Sequence, residues 1–276
     1  MRDFCTYCGY ELASYECELL CGRLSKMEPQ NLNEFLDWVP DYPDAILGQG
    51  LMYTQTKTII YGRYKSMKSM LAQRLALSIV RGEPWLGFQT PVSGASVFYM
   101  QSEIPHRQLQ KRFQVMVQGR RDFKKPLTVW TEHSLKLDSK EGLSKLERKL
   151  EQNPSDVLII DPIYKVLTGD MKEQGQISAF LDNMDALIDR HGVTIVLISH
   201  SRKQLQEEGE WGSDDLLGSV FFSAWPDSIF QVRRDHGLLT VKFEVLRHAE
   251  EEIQPVNIVI DSKLQFDNNA VQLKVK

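Results

Sequence analysis

Residues 58–81 read TIIYGRYKSMKSMLAQRLALSIVR and decide the fold, because a short apolar run breaks at Gly62 and resumes as an amphipathic helix. This pattern predicts a strand, a loop and a helix. The loop, GRYKSMKS, follows the phosphate-loop pattern G-x-x-x-x-G-K-[ST] except at the second glycine, where the chain has Met67. The candidate nucleotide-binding residues are those of the loop: Gly62, Arg63, Tyr64, Lys65, Ser66, Met67, Lys68 and Ser69.

In such a loop, backbone N–H groups surround the β-phosphate and the following helix presents its positive N-terminal end. Lys68 would place a charge between the β- and γ-phosphates, and Ser69 would hold Mg²⁺. The alternative is a chance string in a lysine-containing loop. Met67 leaves two possibilities, since glycine permits unusual dihedral angles and close approach of phosphate. Either other residues shape the loop, with Lys65 as a second cation, or nucleotide binding is weak or lost.

The composition is that of an ordinary globular chain. Its 276 residues are 42% hydrophobic and 25% charged, which suits one large α/β domain with a small appendage. The net charge of −4 gives no global signal for nucleic-acid binding. No apolar run approaches the roughly 18 residues of a membrane span, and the N-terminus lacks the apolar core of a signal peptide. We therefore expect a cytoplasmic protein with no membrane partner.

All four cysteines fall within the first 21 residues, spaced C-x2-C-x8-C-x3-C: Cys5, Cys8, Cys17 and Cys21. In a reducing cytoplasm, four thiolates at these spacings suit tetrahedral Zn²⁺ better than disulfides. The alternatives are reduced cysteines in a flexible tail or an iron–sulfur cluster. A structural zinc would stabilise a small module that docks to nucleic acid or to a partner such as a replication protein.

Two acidic residues lie at the ends of predicted buried strands, which cover residues 95–101 and 156–161. Glu103 lies just past the first strand, where α/β sheets present functional groups, and is a candidate base that activates a water. The alternative is a first-turn helix glutamate favoured by the helix dipole. Asp161 ends the second strand, the position of the carboxylate that orients Mg²⁺ in phosphate-loop enzymes.

His200 is a third polar residue at a strand end, since it closes the apolar run at residues 193–200. An imidazole there is a candidate sensor of the γ-phosphate, and the alternative is a capped structural histidine. Apolar periodicity predicts a helix over residues 175–191 before this strand. Four segments after it alternate like antiparallel strands: 228–233, 238–246, 256–260 and 264–266.

Taken in order, these motifs resemble the RecA-like ATPases of the RepA-type hexameric helicase group, an AAA-type ATPase domain found in phage and plasmid replication proteins. The residues that carry the resemblance are GRYKSMKS, the Pro-Trp-Leu-Gly turn at 84–87, Glu103, LIIDP at 158–162 and ISHSRK at 198–203. It covers roughly residues 45–268 and leaves out the cysteines. The implied fold is a RecA-like P-loop NTPase with a mostly parallel central sheet flanked by helices and a C-terminal antiparallel extension.

The resemblance also implies roles for individual residues. Lys68 and Ser69 would bind phosphate and Mg²⁺, Asp161 would be the second Mg²⁺ residue, Glu103 the base and His200 the sensor. The loops after Asp161 and after His200 would face single-stranded DNA in a central channel.

Arg247, in the sequence VLRH, falls where the family carries a basic finger that acts on the neighbouring subunit's nucleotide. Catalysis would then need a homo-oligomer such as a hexamer. A plain surface arginine is the alternative. The chain departs from the family at Met67 and at Val245, where many relatives have lysine.

These expectations define three regions and two functions. Residues 1–24 would be the zinc module, 25–50 a linker with a short helix, and 51–276 the RecA-like ATPase domain. The first function is an ATP-hydrolysing, helicase-like motor in replication or recombination, with ATP, Mg²⁺ and Zn²⁺ as cofactors. The second is a weak or inactive RecA-like adaptor that binds nucleotide, DNA or a protein without turnover.

Overall fold

The computed structural model describes residues 29–39, 44–169, 174–201, 220–235, 238–260 and 266–267. The predicted zinc ligands Cys5, Cys8, Cys17 and Cys21 lie outside these ranges. Within the ranges, no helix has the length and apolar character needed to cross a membrane.

The described elements alternate between strands and helices through most of the chain, and four strands without intervening helices follow. In chain order they are α1 (Leu32–Asp37), β1 (Ala45–Leu47), β2 (Met52–Tyr53), β3 (Lys57–Gly62), α2 (Lys68–Arg81), β4 (Val97–Gln101), α3 (His106–Val117), β5 (Leu127–Thr131), α4 (Lys140–Gln152), β6 (Val157–Asp161), a 3₁₀ turn (Ile163–Lys165), α5 (Gln174–His191), β7 (Thr194–His200), α6 (Val220–Ala224), β8 (Ser228–Asp235), β9 (Leu238–Leu246), β10 (Val256–Ile260) and β11 (Phe266–Asp267).

Nine of these strands form one sheet in the order β11-β10-β9-β8-β3-β7-β6-β4-β5. The strands from β8 to β5 run parallel to their neighbours, with β3 between β7 and β8. The pairs β8–β9, β9–β10 and β10–β11 are antiparallel. The predicted mostly parallel sheet with a C-terminal antiparallel extension is therefore confirmed.

Helices cover both faces of the sheet. Leu71 and Leu75 of α2 and Leu109 of α3 belong to the apolar cluster on one face. Leu146 of α4 and Phe180 of α5 belong to the cluster on the other face. The parallel strands are buried on both sides, which explains why their sequences read as continuous apolar runs instead of alternating ones.

The region predicted as a linker contains a short helix and the first strand of the folded body. Helix α1 begins at a capping box, in which Asn31 accepts from the N–H groups of Asn33 and Glu34. None of its residues is buried. By contrast, Ile46 and Leu47 of β1 are fully buried in the core, so the folded body extends at least to Ala45.

Candidate functional site

The register of the parallel strands brings the predicted residues to one edge of the sheet. Gly62 at the end of β3 pairs with His200 at the end of β7. Gln101 at the end of β4 pairs with Asp161 at the end of β6. Because these strands are parallel, the loop after Gly62 and the segment carrying Glu103 lie at the same carboxyl edge, where open α/β sheets bind their ligands.

The phosphate loop begins at a glycine that packs against β8. A Cβ atom on Gly62 would collide with the carbonyl oxygen of Val232 and would lie 2.9 Å from Ser66 Oγ. Only glycine fits this place, because β3 and β8 are neighbouring strands of one sheet.

Met67 adopts the backbone conformation that the missing glycine would supply. Its φ is 67° and its ψ is 19°, in the left-handed region, and Lys65 in the same loop has a φ of 63°. The Met67 side chain is partly buried and packs against the apolar cluster that includes α2. The loop therefore keeps its turn at a strain cost of roughly 1–2 kcal/mol for a residue with a Cβ atom.

Helix α2 starts directly after this turn. Met67, its N-cap residue, makes no side-chain capping hydrogen bond. The N–H groups of the first turn thus lack a side-chain cap from residue 67, an arrangement that suits an anion at the helix N-terminus.

Lys68 is buried, with 4% of its surface exposed, and turns its ammonium group into the loop. Its Nζ donates to the carbonyl oxygen of Arg63 at 2.7 Å and to Ser66 Oγ at 3.3 Å. Burial lowers the pKa of Lys68 to about 8, and the charges of Asp161 and Glu103 act in the opposite direction. The loop therefore holds a desolvated cation that gains from a negatively charged ligand.

Asp161 is fully buried, and hydrogen bonds occupy both of its carboxylate oxygens. Ser69 Oγ donates to Oδ1 at 2.9 Å. Tyr99 Oη donates to Oδ2 at 2.6 Å, and Gln101 Nε2 donates to the same oxygen at 2.9 Å. Burial raises the pKa of Asp161, while the hydrogen bonds from Tyr99 and Ser69 act against that rise.

The donor set fits Mg²⁺. Ser69 Oγ and Asp161 Oδ1 are hard oxygen atoms held 2.9 Å apart beside the phosphate loop. Protein Mg²⁺ sites commonly use one or two such side chains and complete the octahedron with water and substrate phosphates.

Glu103 is partly exposed and follows β4 on a short turn. Its N–H and that of Ile104 donate to Gln101 Oε1, at 2.7 and 3.3 Å. The Glu103 carboxylate lies close enough to Lys68 and His200 for its charge to raise the pKa of both. The phosphate loop, the candidate metal-binding carboxylate Asp161 and the candidate base Glu103 therefore lie close together.

His200 is partly buried, and burial together with the charge of Lys68 lowers its pKa to about 4. Its imidazole is consequently neutral at neutral pH. The His200 ring lies near two tyrosine rings, with its centroid 6.0 Å from that of Tyr64 and 5.4 Å from that of Tyr164. His200 lies at the same sheet edge as the phosphate loop, and its role as a sensor stays a prediction.

Arg247 is not brought to this site. It follows β9, whose last residue, Leu246, pairs with Ser228 at the start of β8, whereas Val232 further along β8 pairs with Gly62. Arg247 thus lies at the amino-terminal edge of the parallel strands. Its guanidinium donates to the carbonyl oxygen of Ala224 and lies 3.9 Å from Asp227 Oδ1.

A cavity of about 650 Å³ opens beside the phosphate loop, towards β8. Its walls come from the end of β3, the first half of the loop, β8 and Thr240 of β9. A volume of this size accommodates a small ligand that extends from the loop.

Sequence reasoning missed Tyr99 and Gln101, the two buried donors to Asp161. Residues 97–101, VFYMQ, read simply as a buried strand. The available signal was a tyrosine and a glutamine two positions apart in that strand. Their side chains point to the same face of the sheet, and buried polar side chains need partners.

Comparisons with known proteins bear on the family and the fold of the chain. The sequence model of the AAA domain family (AAA_25) matches residues 23–206. The structure titled ATPase Domain of G40P has a TM-score of 0.64 at 14% identity, covering 87% of this chain and 99% of that chain. No curated protein matches the sequence significantly.

Two further solved structures share the fold. A DnaB-like replicative helicase, described with its interactions with primase, has a TM-score of 0.62 at 14% identity, covering 88% of this chain and 69% of that chain. The RadB recombinase has a TM-score of 0.53 at 16% identity, covering 76% and 90%. These likenesses confirm the predicted α/β RecA-like fold.

Proposed function

Because the chain belongs to the AAA domain family, we propose that it binds and hydrolyses ATP and couples hydrolysis to movement on nucleic acid in replication or recombination. The observation that carries the proposal is the hydrogen bond between Ser69 and Asp161 beside the buried Lys68. Three separate parts of the chain meet there in the arrangement that phosphoryl transfer requires.

In this proposal the loop residues bind the triphosphate. Lys68 Nζ breaks its hydrogen bonds to the Arg63 carbonyl oxygen and to Ser66 Oγ and pairs with phosphate oxygens. The phosphate charge then compensates the buried ammonium group for the solvation that it has lost. Ser69 and Asp161 hold Mg²⁺, which supplies neutralisation of phosphate charge when bound. The cavity beside the loop takes the nucleoside.

Glu103 acts as the general base. Its carboxylate accepts a proton from a water molecule while the water oxygen bonds to the γ-phosphorus and the bond from phosphorus to the ADP oxygen breaks. His200, neutral at neutral pH, donates an N–H hydrogen bond to the γ-phosphate and responds to its loss.

Arg247 completes the site of a neighbouring subunit in a homo-oligomer. The placement of Arg247 at the opposite edge from its own phosphate loop supports this role, because an arginine there is out of reach of its own nucleotide. The segments after Asp161 and after His200 would contact single-stranded DNA. The four cysteines in residues 1–24, which lie outside the described residues, would hold Zn²⁺ for docking to a partner. The protein acts in the cytoplasm.

A second candidate function is an adaptor with weak or no turnover. Met67 favours it, since a residue with a Cβ atom in the left-handed region puts strain into the loop that must contact phosphate. In that case the protein binds little ATP and serves as a scaffold for DNA or a protein partner.

The deciding experiment is steady-state ATP hydrolysis by the zinc-replete protein with and without single-stranded DNA. The variants are Lys68→Ala and Glu103→Gln, and the controls are Lys140→Ala and Glu141→Gln, exposed residues at the start of α4. The motor predicts DNA-stimulated turnover in the wild type and controls and loss in both site variants. Equal turnover in the wild type and Lys68→Ala would exclude the proposed site, and the absence of any turnover would favour the adaptor.

A further inference from the structure

We infer that Gln101 is a positioning residue that ties the metal-site carboxylate Asp161 to the backbone of the general base Glu103. This inference rests on the proposed ATPase function for its catalytic meaning. Its geometric part, a bridge between two strand ends through one side-chain amide, stands on hydrogen bonds that the structure shows.

The bridge uses both ends of the amide. Gln101 Nε2 donates to Asp161 Oδ2 at 2.9 Å. Gln101 Oε1 accepts from the N–H of Glu103 at 2.7 Å and from the N–H of Ile104 at 3.3 Å. Since Gln101 is only 1% exposed, water does not compete for these bonds.

The backbone around Gln101 is fixed independently of its side chain. Gln101 pairs with Asp161 across the strands, and the N–H of Ser102 donates to the Asp161 carbonyl oxygen at 2.9 Å. On the other side, the N–H of Glu132 donates to the Gln101 carbonyl oxygen at 3.0 Å. The Gln101 amide therefore spans a fixed distance between Asp161 and the Glu103 backbone. Replacing the Gln101 side chain leaves the backbone hydrogen bonds of its strand in place.

The chemistry of the gap calls for a neutral group that donates at one end and accepts at the other. Asp161 and Glu103 are both acidic residues, and the Gln101 amide bonds to the carboxylate of the first and to the backbone N–H of the second. A carboxylate at position 101 would repel Asp161, and an apolar side chain would leave the two N–H groups at 103 and 104 unpaired. An amide satisfies both neighbours and holds the turn that aims Glu103.

Two substitutions separate the halves of the bridge. Gln101→Glu keeps the acceptor but loses the donor when ionised, and Gln101→Leu loses both. We expect each to lower kcat by about 10²-fold at neutral pH with a much smaller change in KM, since misplacing a base affects the chemical step. Gln110→Glu and Gln110→Leu, at an exposed position of α3, are the matched controls and keep wild-type activity.

Hydrogen–deuterium exchange without nucleotide tests the bridge apart from turnover. Gln101→Leu speeds exchange at the amides of residues 103 and 104 by about 10-fold or more, whereas Gln101→Glu retains their protection. If the wild type hydrolyses ATP and both variants keep its kcat and its exchange rates, the inference is wrong and the proposed ATPase function remains. A wild type without turnover refutes the ATPase, and exchange then decides the bridge alone.

Discussion

Ser69 Oγ donates to Asp161 Oδ1 at 2.9 Å, a hydrogen bond between the start of α2 and the end of β6. The other carboxylate oxygen is held from inside the sheet by Tyr99 and Gln101. Asp161 therefore has an inner oxygen fixed by two buried donors and an outer oxygen that faces the phosphate loop. These two buried donors fix the orientation of the Asp161 carboxylate.

Asp161→Asn tests this division. The asparagine Oδ1 can accept from Tyr99 and Gln101, while its Nδ2 can donate to Ser69 Oγ, so we expect the fold to be retained. We expect turnover to fall by at least about 10²-fold, because the amide removes the negative charge proposed to bind Mg²⁺. Urea denaturation and Mg²⁺-dependent hydrolysis are the measurements.

The contrasting variant is Asp161→Leu. It leaves the Tyr99 and Gln101 donors without an acceptor, and we expect a loss of about 1–3 kcal/mol in the free energy of unfolding. Equal free energies of unfolding for Asp161→Asn and Asp161→Leu would show that the hydrogen bonds accepted by Oδ2 do not stabilise the fold.

Met67 gives a second prediction, because its backbone already has the glycine-like conformation and its side chain packs against the core. Met67→Gly should leave the affinity for ATP within about threefold, since the dihedral angles do not change. Met67→Val should lose at least about 10-fold in affinity and about 1–3 kcal/mol in stability, since a β-branched residue tolerates this region poorly. Binding of a fluorescent ATP analogue measures both affinities, and a large gain for Met67→Gly would mean that methionine obstructs phosphate.

Lys68 predicts a pH-dependent stability. Burial lowers its pKa from 10.5 to about 8, so between these values the folded protein binds fewer protons than the unfolded chain, and stability rises with pH. Below about pH 8 the protein carries the full cost of a buried charge. Lys68→Met removes that cost and should raise the free energy of unfolding by about 1–3 kcal/mol near pH 7.

The gain from Lys68→Met should shrink as the pH rises from about 8 towards about 10. Urea denaturation without nucleotide at several pH values measures it, with Lys140→Met as an exposed control. A variant that is less stable at every pH would show that the bonds to Arg63 and Ser66 outweigh the desolvation of the ammonium group.

Arg247 predicts complementation between subunits. Arg247→Ala should bind nucleotide normally but hydrolyse it poorly, and Lys68→Ala should fail at binding phosphate. In a head-to-tail assembly of both variants mixed equally, about one quarter of the interfaces combine an intact Lys68 with an intact Arg247. Hydrolysis should therefore reappear on mixing, whereas Arg148→Ala, at an exposed position on α4, stays active alone. Mixtures that remain inactive would assign Arg247 to its contacts with Asp227 and Ala224.

The order of motifs made much of the site predictable from sequence. An apolar run that breaks at a glycine predicts the phosphate loop. Two apolar strands end in the polar residues Asp161 and His200, and the carboxyl ends of parallel strands lie at one edge of the sheet, so both residues are predicted at that edge. The position of Glu103 followed from the same argument.

Other features depend on contacts that no local pattern encodes. The insertion of β3 between β7 and β8 comes from long-range packing, and so does the collision that makes Gly62 necessary. The conformation of Met67 could not be predicted, since sequence alone does not tell whether the surrounding fold can hold a strained residue. The partners of Arg247 are Ala224, the last residue of α6, and Asp227, the residue before β8, and only the tertiary fold brings Arg247 to them.

The two glycine positions of the loop motif are thus under constraints of different kinds. At Gly62 the constraint is space, because the Val232 carbonyl oxygen occupies the volume that a Cβ atom would need. Relieving that collision would require β8 to move. At position 67 the constraint is conformational, with a finite cost that packing can offset. Evolutionary drift can therefore remove the second glycine in a lineage and leave the loop intact, whereas the first glycine is closed to substitution as long as β8 keeps its place.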